Sequence, residues 1–230
     1  MKTTIACLHA HHSNIAYIEQ AAASADVELV HYVDPGLMRR IGSDPGFSVE
    51  RAKEKVAEQL RWMLHTKPDQ LLITCTNYIA LLDEERLHTQ VPILKIDEPF
   101  FEEILAQSGP QLLLFTNPAT VEGTMARLHH YAAQLGVALG EVEAAVIANT
   151  FELIMQGKQE AYTREVADYI VRLLANNPGL KMSVAQLSMV EAAERARRQS
   201  GAAIGNPLTP LTKYLIEVPA MSPRDGTMDR

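Results

Sequence analysis

The sequence predicts an α/β protein built on mostly parallel sheet, with helices on both faces. Three observations carry this. Short apolar runs alternate with longer stretches whose apolar residues recur at three- and four-residue steps, the periods of buried strand and amphipathic helix. The alternation restarts near Gln111. Two strand-to-helix turns also read alike, LLITCTNYIALL (Leu71–Leu82) and LLLFTNPATVEGTM (Leu112–Met125), with a Thr-Asn pair after each apolar run, Thr76-Asn77 and Thr116-Asn117. Together they suggest a chain of two halves.

The elements follow in order. Thr4–Leu8 reads as a strand, Asn14–Ala25 as a helix and Val27–Val33 as a strand closed by the turn Asp34-Pro35-Gly36. From Val49, the apolar positions Ala52, Val56, Leu60 and Met63 mark a helix face. Leu71–Thr74 is a buried-type strand, a helix follows from about Tyr78, and Ile93–Ile96 is a short strand after Pro92. In the second half, Gln111–Thr116 is a strand and Val121–Leu135 a helix, with Val137–Leu139 or Val142–Val146 as the next strand. Gln159–Ala175 is a long helix with Val166, Ile170 and Leu173/Leu174 on one face; Lys181–Gln186 is a strand and Val190–Gln199 a helix. The tail from Pro219 is expected to fray.

Composition bounds the function. The 230 residues carry 21 Lys+Arg against 28 Asp+Glu, a net charge of −7, which argues against a generic nucleic-acid binder needing a basic face. The longest uncharged stretch, Ile104–Val121, is interrupted by Gly109, Pro110 and Pro118, so no membrane span is expected. The start, MKTTIACLHAHH, has too short an apolar run for a signal peptide and reads better as a first strand. A cytoplasmic protein is expected. With only Cys7 and Cys75, neither a disulfide framework nor a multi-cysteine zinc site is possible.

In open parallel sheets, ligands bind beyond the carboxyl ends of the strands. That singles out His9, His11, His12, Ser13 and Asn14; Asp34; Thr74, Cys75, Thr76 and Asn77; Asn117, Thr120 and Val121; and Gln186 and Ser188. The set is polar and holds no lysine or arginine, and no glycine-rich phosphate loop occurs. Cys75 ends an apolar strand just before a helix start, where Thr76 or Asn77 can cap. Free N–H groups there favour an anion, either the thiolate itself or a substrate carboxylate. The bland alternative is a buried, inert thiol, and for Cys7, inside its strand, core packing is the expectation.

His9 and His11 share a strand face and could meet, but zinc needs three or four converging ligands; no metal is expected, and a metal hydrolase on that pair is kept as an alternative. His129 and His130 read as surface, and Asp34 as a turn former as much as a functional group. Asn117-Pro118 resembles an N-cap followed by proline, with Thr120 as the other candidate cap. Arg195, Arg197 and Arg198 share a helix with Glu191 and Glu194, a solvated face.

Three ordered segments carry a resemblance: ITCTNY (Ile73–Tyr78), FTNPATVEGTM (Phe115–Met125) and VAQLSMVEAAE (Val184–Glu194). The chain resembles the aspartate/glutamate racemase superfamily, which includes hydantoin racemases, arylmalonate decarboxylases and maleate isomerases. VHYVDPGLM (Val30–Met38) and GNPLTPLTKYL (Gly205–Leu215) add to the likeness. The resemblance implies an α/β fold of two pseudo-symmetric, doubly wound parallel-sheet lobes with a cleft between them, residues 1–97 with 206–230 forming one and 98–205 the other. It implies cofactor-independent chemistry at a carbon next to a carboxylate, with Cys75 as the first catalytic thiol and a homodimer as the suggested assembly.

The sequence departs from the family where the second cysteine should stand, near Gln186. An amide does not shuttle protons at neutral pH. Symmetric two-thiol racemisation is thus put in doubt. A single thiol at Cys75 remains able to act as nucleophile or as one-sided acid or base. One of His9, His11 or His12 is the candidate replacement acid.

The expectation is a cofactor-free isomerase of a small amino-acid or dicarboxylic-acid derivative. Cys75 would be catalytic. Thr76, Asn77, Asn117, Thr120, Val121, Gln186, Ser188, His11 and Ser13 would bind substrate. Arylmalonate-type decarboxylation and non-catalytic carboxylate binding are the alternatives.

Overall fold

The computed structural model describes residues 2–217; the tail from Pro219, expected to fray, lies outside them. Two compact units emerge, one running through Lys95 and resuming at Thr212, the other spanning Ile96–Leu211.

The first unit holds a four-stranded sheet. Its strands are β1 (Thr3–His9), β2 (Val27–Val33), β3 (Gln70–Ile73) and β4 (Ile93–Lys95), in the order β2-β1-β3-β4. All three pairings are parallel. The connections are helical: α1 (Asn14–Ala22), α2 (Gly36–Ser43), α3 (Val49–Leu64) and α4 (Thr76–Leu81). Strand β3 is buried at every position, as a parallel strand covered on both faces should be. On α3, Ala52, Val56, Leu60 and Met63 turn inward as their spacing predicted. Ser48 caps that helix by accepting from Arg51 N at 3.3 Å.

The second unit holds a three-stranded parallel sheet in the order β6-β5-β7: β5 (Gln111–Phe115), β6 (Val142–Val146) and β7 (Lys181–Val184). Its helices are α5 (Glu98–Ala106), α6 (Val121–Leu135), α7 (Phe151–Met155), α8 (Gln159–Asn176) and α9 (Val190–Ser200); α10 (Leu208–Glu217) follows. The period-two alternation of β5 sorts its side chains between two cores. Leu113 and Phe115 pack with Phe100, Phe101 and Leu128 from α5 and α6. Leu114 packs with Val166, Ile170 and Ala193 from α8 and α9. Helices thus cover both faces, the arrangement that the sequence predicts.

Differences are local. Helices α2, α5, α7 and α10 went unread in the sequence, and strand β7 ends at Val184 rather than Gln186. Of the two candidates for β6, Val142–Val146 forms the strand. No helix among the described residues is long and apolar enough to cross a membrane.

Candidate active site

In the first sheet the chain winds outward from β1 to β2 on one side and from β3 to β4 on the other. The topological switch point therefore lies between β1 and β3, the position at which open α/β sheets bind ligands beyond the strand ends. His9 ends β1, and Thr74 and Cys75 follow β3. Thr74 N still donates to Leu8 O at 3.0 Å, so the ladder runs one residue past the strand. Cys75 stays extended at φ −115°, ψ 120° and is itself the N-cap residue of α4; its carbonyl accepts from Ile79 N at 3.0 Å.

This corrects the expected caps Thr76 and Asn77: the helix starts one to two residues earlier, because the Cys75 carbonyl already accepts the first intrahelical bond. Cys75 gives α4 no side-chain cap. The first N–H groups of a helix have no intrahelical partner, and those of Thr76 and Asn77 open α4 just after the strand end. Cys75 is partly exposed. With only six residues, α4 offers local N–H groups more than a macrodipole.

Cys7 is fully buried, which bears out core packing. Burial, helped by the charge of Glu19, pushes its thiol up to about 12.

The histidines arrange differently from expectation. His9 and His11 do not meet: β1 ends at His9, so its alternation stops before His11. The exposed His11 places Nδ1 2.8 Å from Ser13 Oγ and accepts from Ser13 N at 3.2 Å. Its ring lies 4.2 Å from that of His12. The buried His9 turns instead to β2. Its Nδ1 is 2.9 Å from Thr74 Oγ1 and its Nε2 is 2.8 Å from His31 Nδ1. His31 stands opposite Cys7 in the parallel register, so Cys7, His9 and His31 share one sheet face. Burial first, and His31 second, lower His9 to about 4.

Asp34 proves a turn former: its Oδ1 accepts from Gly36 N at 2.7 Å and Leu37 N at 3.3 Å. Tyr78 OH donates to its carbonyl at 2.8 Å, and burial pushes that phenol upward.

In the second sheet the order β6-β5-β7 puts the switch point between β5 and β7, where Thr116, Asn117 and Gln186 stand. Gln186 Oε1 accepts three hydrogen bonds there, from Thr116 N at 2.8 Å, Thr116 Oγ1 at 2.9 Å and Asn117 N at 3.1 Å. Tyr162 OH lies 3.0 Å from Thr116 Oγ1 and 3.1 Å from Ser188 Oγ, extending the network.

Asn117 caps the following turn, its Oδ1 accepting from Ala119 N at 3.1 Å. Thr120 holds the N-cap position of α6 without a side-chain cap, and its Oγ1 donates to Asn117 O at 2.9 Å. The amides of Thr120 and Val121 bond to Asn117 O and Pro118 O. The expected carboxylate-binding amides of Asn117, Thr120 and Val121 are thus already engaged. Gln186 alone, read in the sequence as a lost catalytic position, is the acceptor that engages Asn117.

His129 and His130 are exposed as expected. Arg195 pairs with Glu160 at 3.0 Å and Arg197 with Glu194 at 2.9 Å, a solvated face. Sequence reasoning missed His31 and Tyr162. The alternation of VHYV places His31 on one face of β2 but says nothing of its partner. Tyr162 looks like any apolar position of α8.

No family model and no curated protein sequence matches the chain. Solved structures do match over nearly its whole length. The aspartate racemase of Picrophilus torridus superposes with a TM-score of 0.66 at 10% identity, covering 93% of each chain. The glutamate racemase of Francisella tularensis, in complex with D-glutamate, gives 0.62 at 11% identity, covering 93% of this chain and 80% of that one. A mutant of arylmalonate decarboxylase in its sulfate-associated form gives 0.58 at 14% identity, covering 94% of each. The chain therefore shares the α/β fold of these enzymes, as the resemblance in its sequence implied.

Proposed function

We propose that the protein is a cofactor-independent enzyme acting at a carbon next to the carboxylate of a small amino-acid or dicarboxylic-acid derivative. Cys75 would be its single catalytic thiol. The observation that carries this is the contrast between the two strand-end clusters. At Cys75 a partly exposed thiol stands beside helix-opening amides, a setting that favours a thiolate and a carboxylate oxygen. At Gln186 the corresponding donors are already taken by an amide that cannot move a proton. The fold shared with racemases and arylmalonate decarboxylase supports the reaction class.

Isomerisation is the leading reaction. The Cys75 thiolate adds to an unsaturated carbon next to the carboxylate. The resulting single bond rotates, and expulsion of the thiolate restores the double bond in the other geometry. The N–H groups of Thr76 and Asn77 hold the carboxylate whose charge grows as the thiolate adds.

Decarboxylation is the second reading, favoured by the fold likeness to arylmalonate decarboxylase. The C–C bond to one carboxylate breaks and CO2 leaves. The Cys75 S–H then protonates the remaining carbanion, and solvent reprotonates the sulfur. Neither route needs a second acid–base group on the opposite side.

Thiol labelling against pH tests the proposal. Cys75 should react selectively near neutral pH and be protected by malonate or maleate. Turnover of a panel of unsaturated dicarboxylates and arylmalonates should disappear in Cys75→Ser. Labelling that begins only when the protein unfolds would overturn the proposal.

A further inference from the structure

We infer that Cys7 Sγ, His9 Nε2 and His31 Nδ1 form a buried site for one divalent ion of the zinc class. The three ligand atoms lie within 4.8 Å of one another on one face of the first sheet.

The partners of the outer ring nitrogens accommodate the tautomers that a metal needs. His31 Nε2 faces the Glu19 carboxylate at 3.0 Å; a carboxylate accepts, so His31 is protonated on Nε2 and has its lone pair on Nδ1. Without an ion, His9 Nε2–H donates to that lone pair across 2.8 Å and His9 Nδ1 accepts from Thr74 Oγ1 at 2.9 Å. Thr74 Oγ1 also has Leu8 O within reach at 3.1 Å. With its proton turned there, the hydroxyl accepts from His9 Nδ1–H, and His9 Nε2 offers a lone pair beside that of His31.

The third ligand favours the metal. Among the described residues Cys7 Sγ makes one hydrogen-bond contact, a long one of 3.7 Å to Ile5 O, and the hydrogen bond between the imidazoles gives it no part. A zinc-class ion uses it. Ligand atoms around a tetrahedral ion stand about 3.3–3.8 Å apart, which small ring rotations reach. The outer partners Thr74 and Glu19 then match the hydroxyl and carboxylate groups that orient metal-bound imidazoles elsewhere. On binding, His9 carries its proton on Nδ1 instead of Nε2, Thr74 Oγ1 turns its hydrogen to Leu8 O, and the Cys7 thiol proton leaves to solvent. Thiolate and carboxylate balance the ion's two charges. The partly exposed edge of His31 gives the ion a way in. The site binds β1 to β2 beneath Thr74, and it stands apart from the His11–His12 pair.

Cobalt(II) titration of the chelator-treated full chain carrying Cys75→Ser is the test, since Cys7 is then its one cysteine. Binding should be one to one, with a thiolate-to-cobalt charge-transfer band that zinc abolishes. His11 and His12 supply no sulfur and cannot produce that band. Glu19→Gln, at an exposed position, should weaken binding about 10–100-fold without unfolding the chain. His31→Gln should eliminate the band. Absence of a charge-transfer band in the folded chain would leave a hydrogen bond as the link between the rings and overturn the inference. A cobalt affinity unchanged by Glu19→Gln and His31→Gln would do the same.

Discussion

The side-chain oxygen of Gln186 lies 2.8 Å from the backbone nitrogen of Thr116, across 70 residues of sequence. One oxygen satisfies the first two amides beyond β5. Removing it should strand those donors. Gln186→Leu is expected to destabilise the fold by about 1–3 kcal/mol, the cost of unpaired buried donors. Gln186→Glu, which keeps an acceptor in place, should cost less. Chemical denaturation of the three proteins decides this; equal stability of wild type and Gln186→Leu would show that water or Tyr162 replaces the oxygen freely.

The two thiols should differ sharply in reactivity. Cys7 is fully buried with its thiol pushed up to about 12, whereas Cys75 is partly exposed. At neutral pH a maleimide should modify one thiol per chain. Peptide mapping should place it at Cys75, and Cys7 should react only on unfolding. Equal labelling of both would contradict the burial of β1.

Acid should weaken the fold through His9. Its folded value of about 4 lies below the ordinary 6.5, so between those values the unfolded chain binds more protons and stability rises with pH. Stability is therefore fully present above about pH 6.5 and declines as pH falls toward 4. The loss is on the order of 2–3 kcal/mol. Urea midpoints from pH 7 to pH 4, compared with His9→Gln, should show a shallower decline in the variant; parallel curves would assign the acid sensitivity elsewhere.

Gly205 packs against Ser183 so closely that a Cβ would meet Ser183 Oγ and stand 3.0 Å from its Cβ. Backbone bonds Val184 N to Gly205 O at 2.9 Å and Gly205 N to Met182 O at 3.0 Å hold the two segments together. Gly205→Ala should cost about 1–3 kcal/mol from overpacking, and adding Ser183→Gly should recover part of it. A double-mutant cycle with no coupling would show that the segments simply move apart.

Much of the fold is legible because periodicity is local. The alternation of β5 sorts Leu113 and Phe115 from Leu114, and the three- and four-residue steps of α3 mark its inner face. Helices α2, α5, α7 and α10 escaped because segments of 5–10 residues carry little repeat of their own; the equally short α1 and α4 were read from the strands that precede them. Cys75 was visible as a thiol at a strand end, and its exposure is consistent with that position.

What the sequence alone determined is which segments become strands and, to within about two residues, where they end, and therefore which residues stand near the switch points, since both follow from patterns within a few neighbours. The tertiary structure decided which groups satisfy one another there. His9 turns to His31 instead of His11, and Gln186 turns its amide onto Thr116 and Asn117. Those partners are chosen by the parallel register of neighbouring strands and by the demand that every buried donor be met, and both act between residues far apart in the chain.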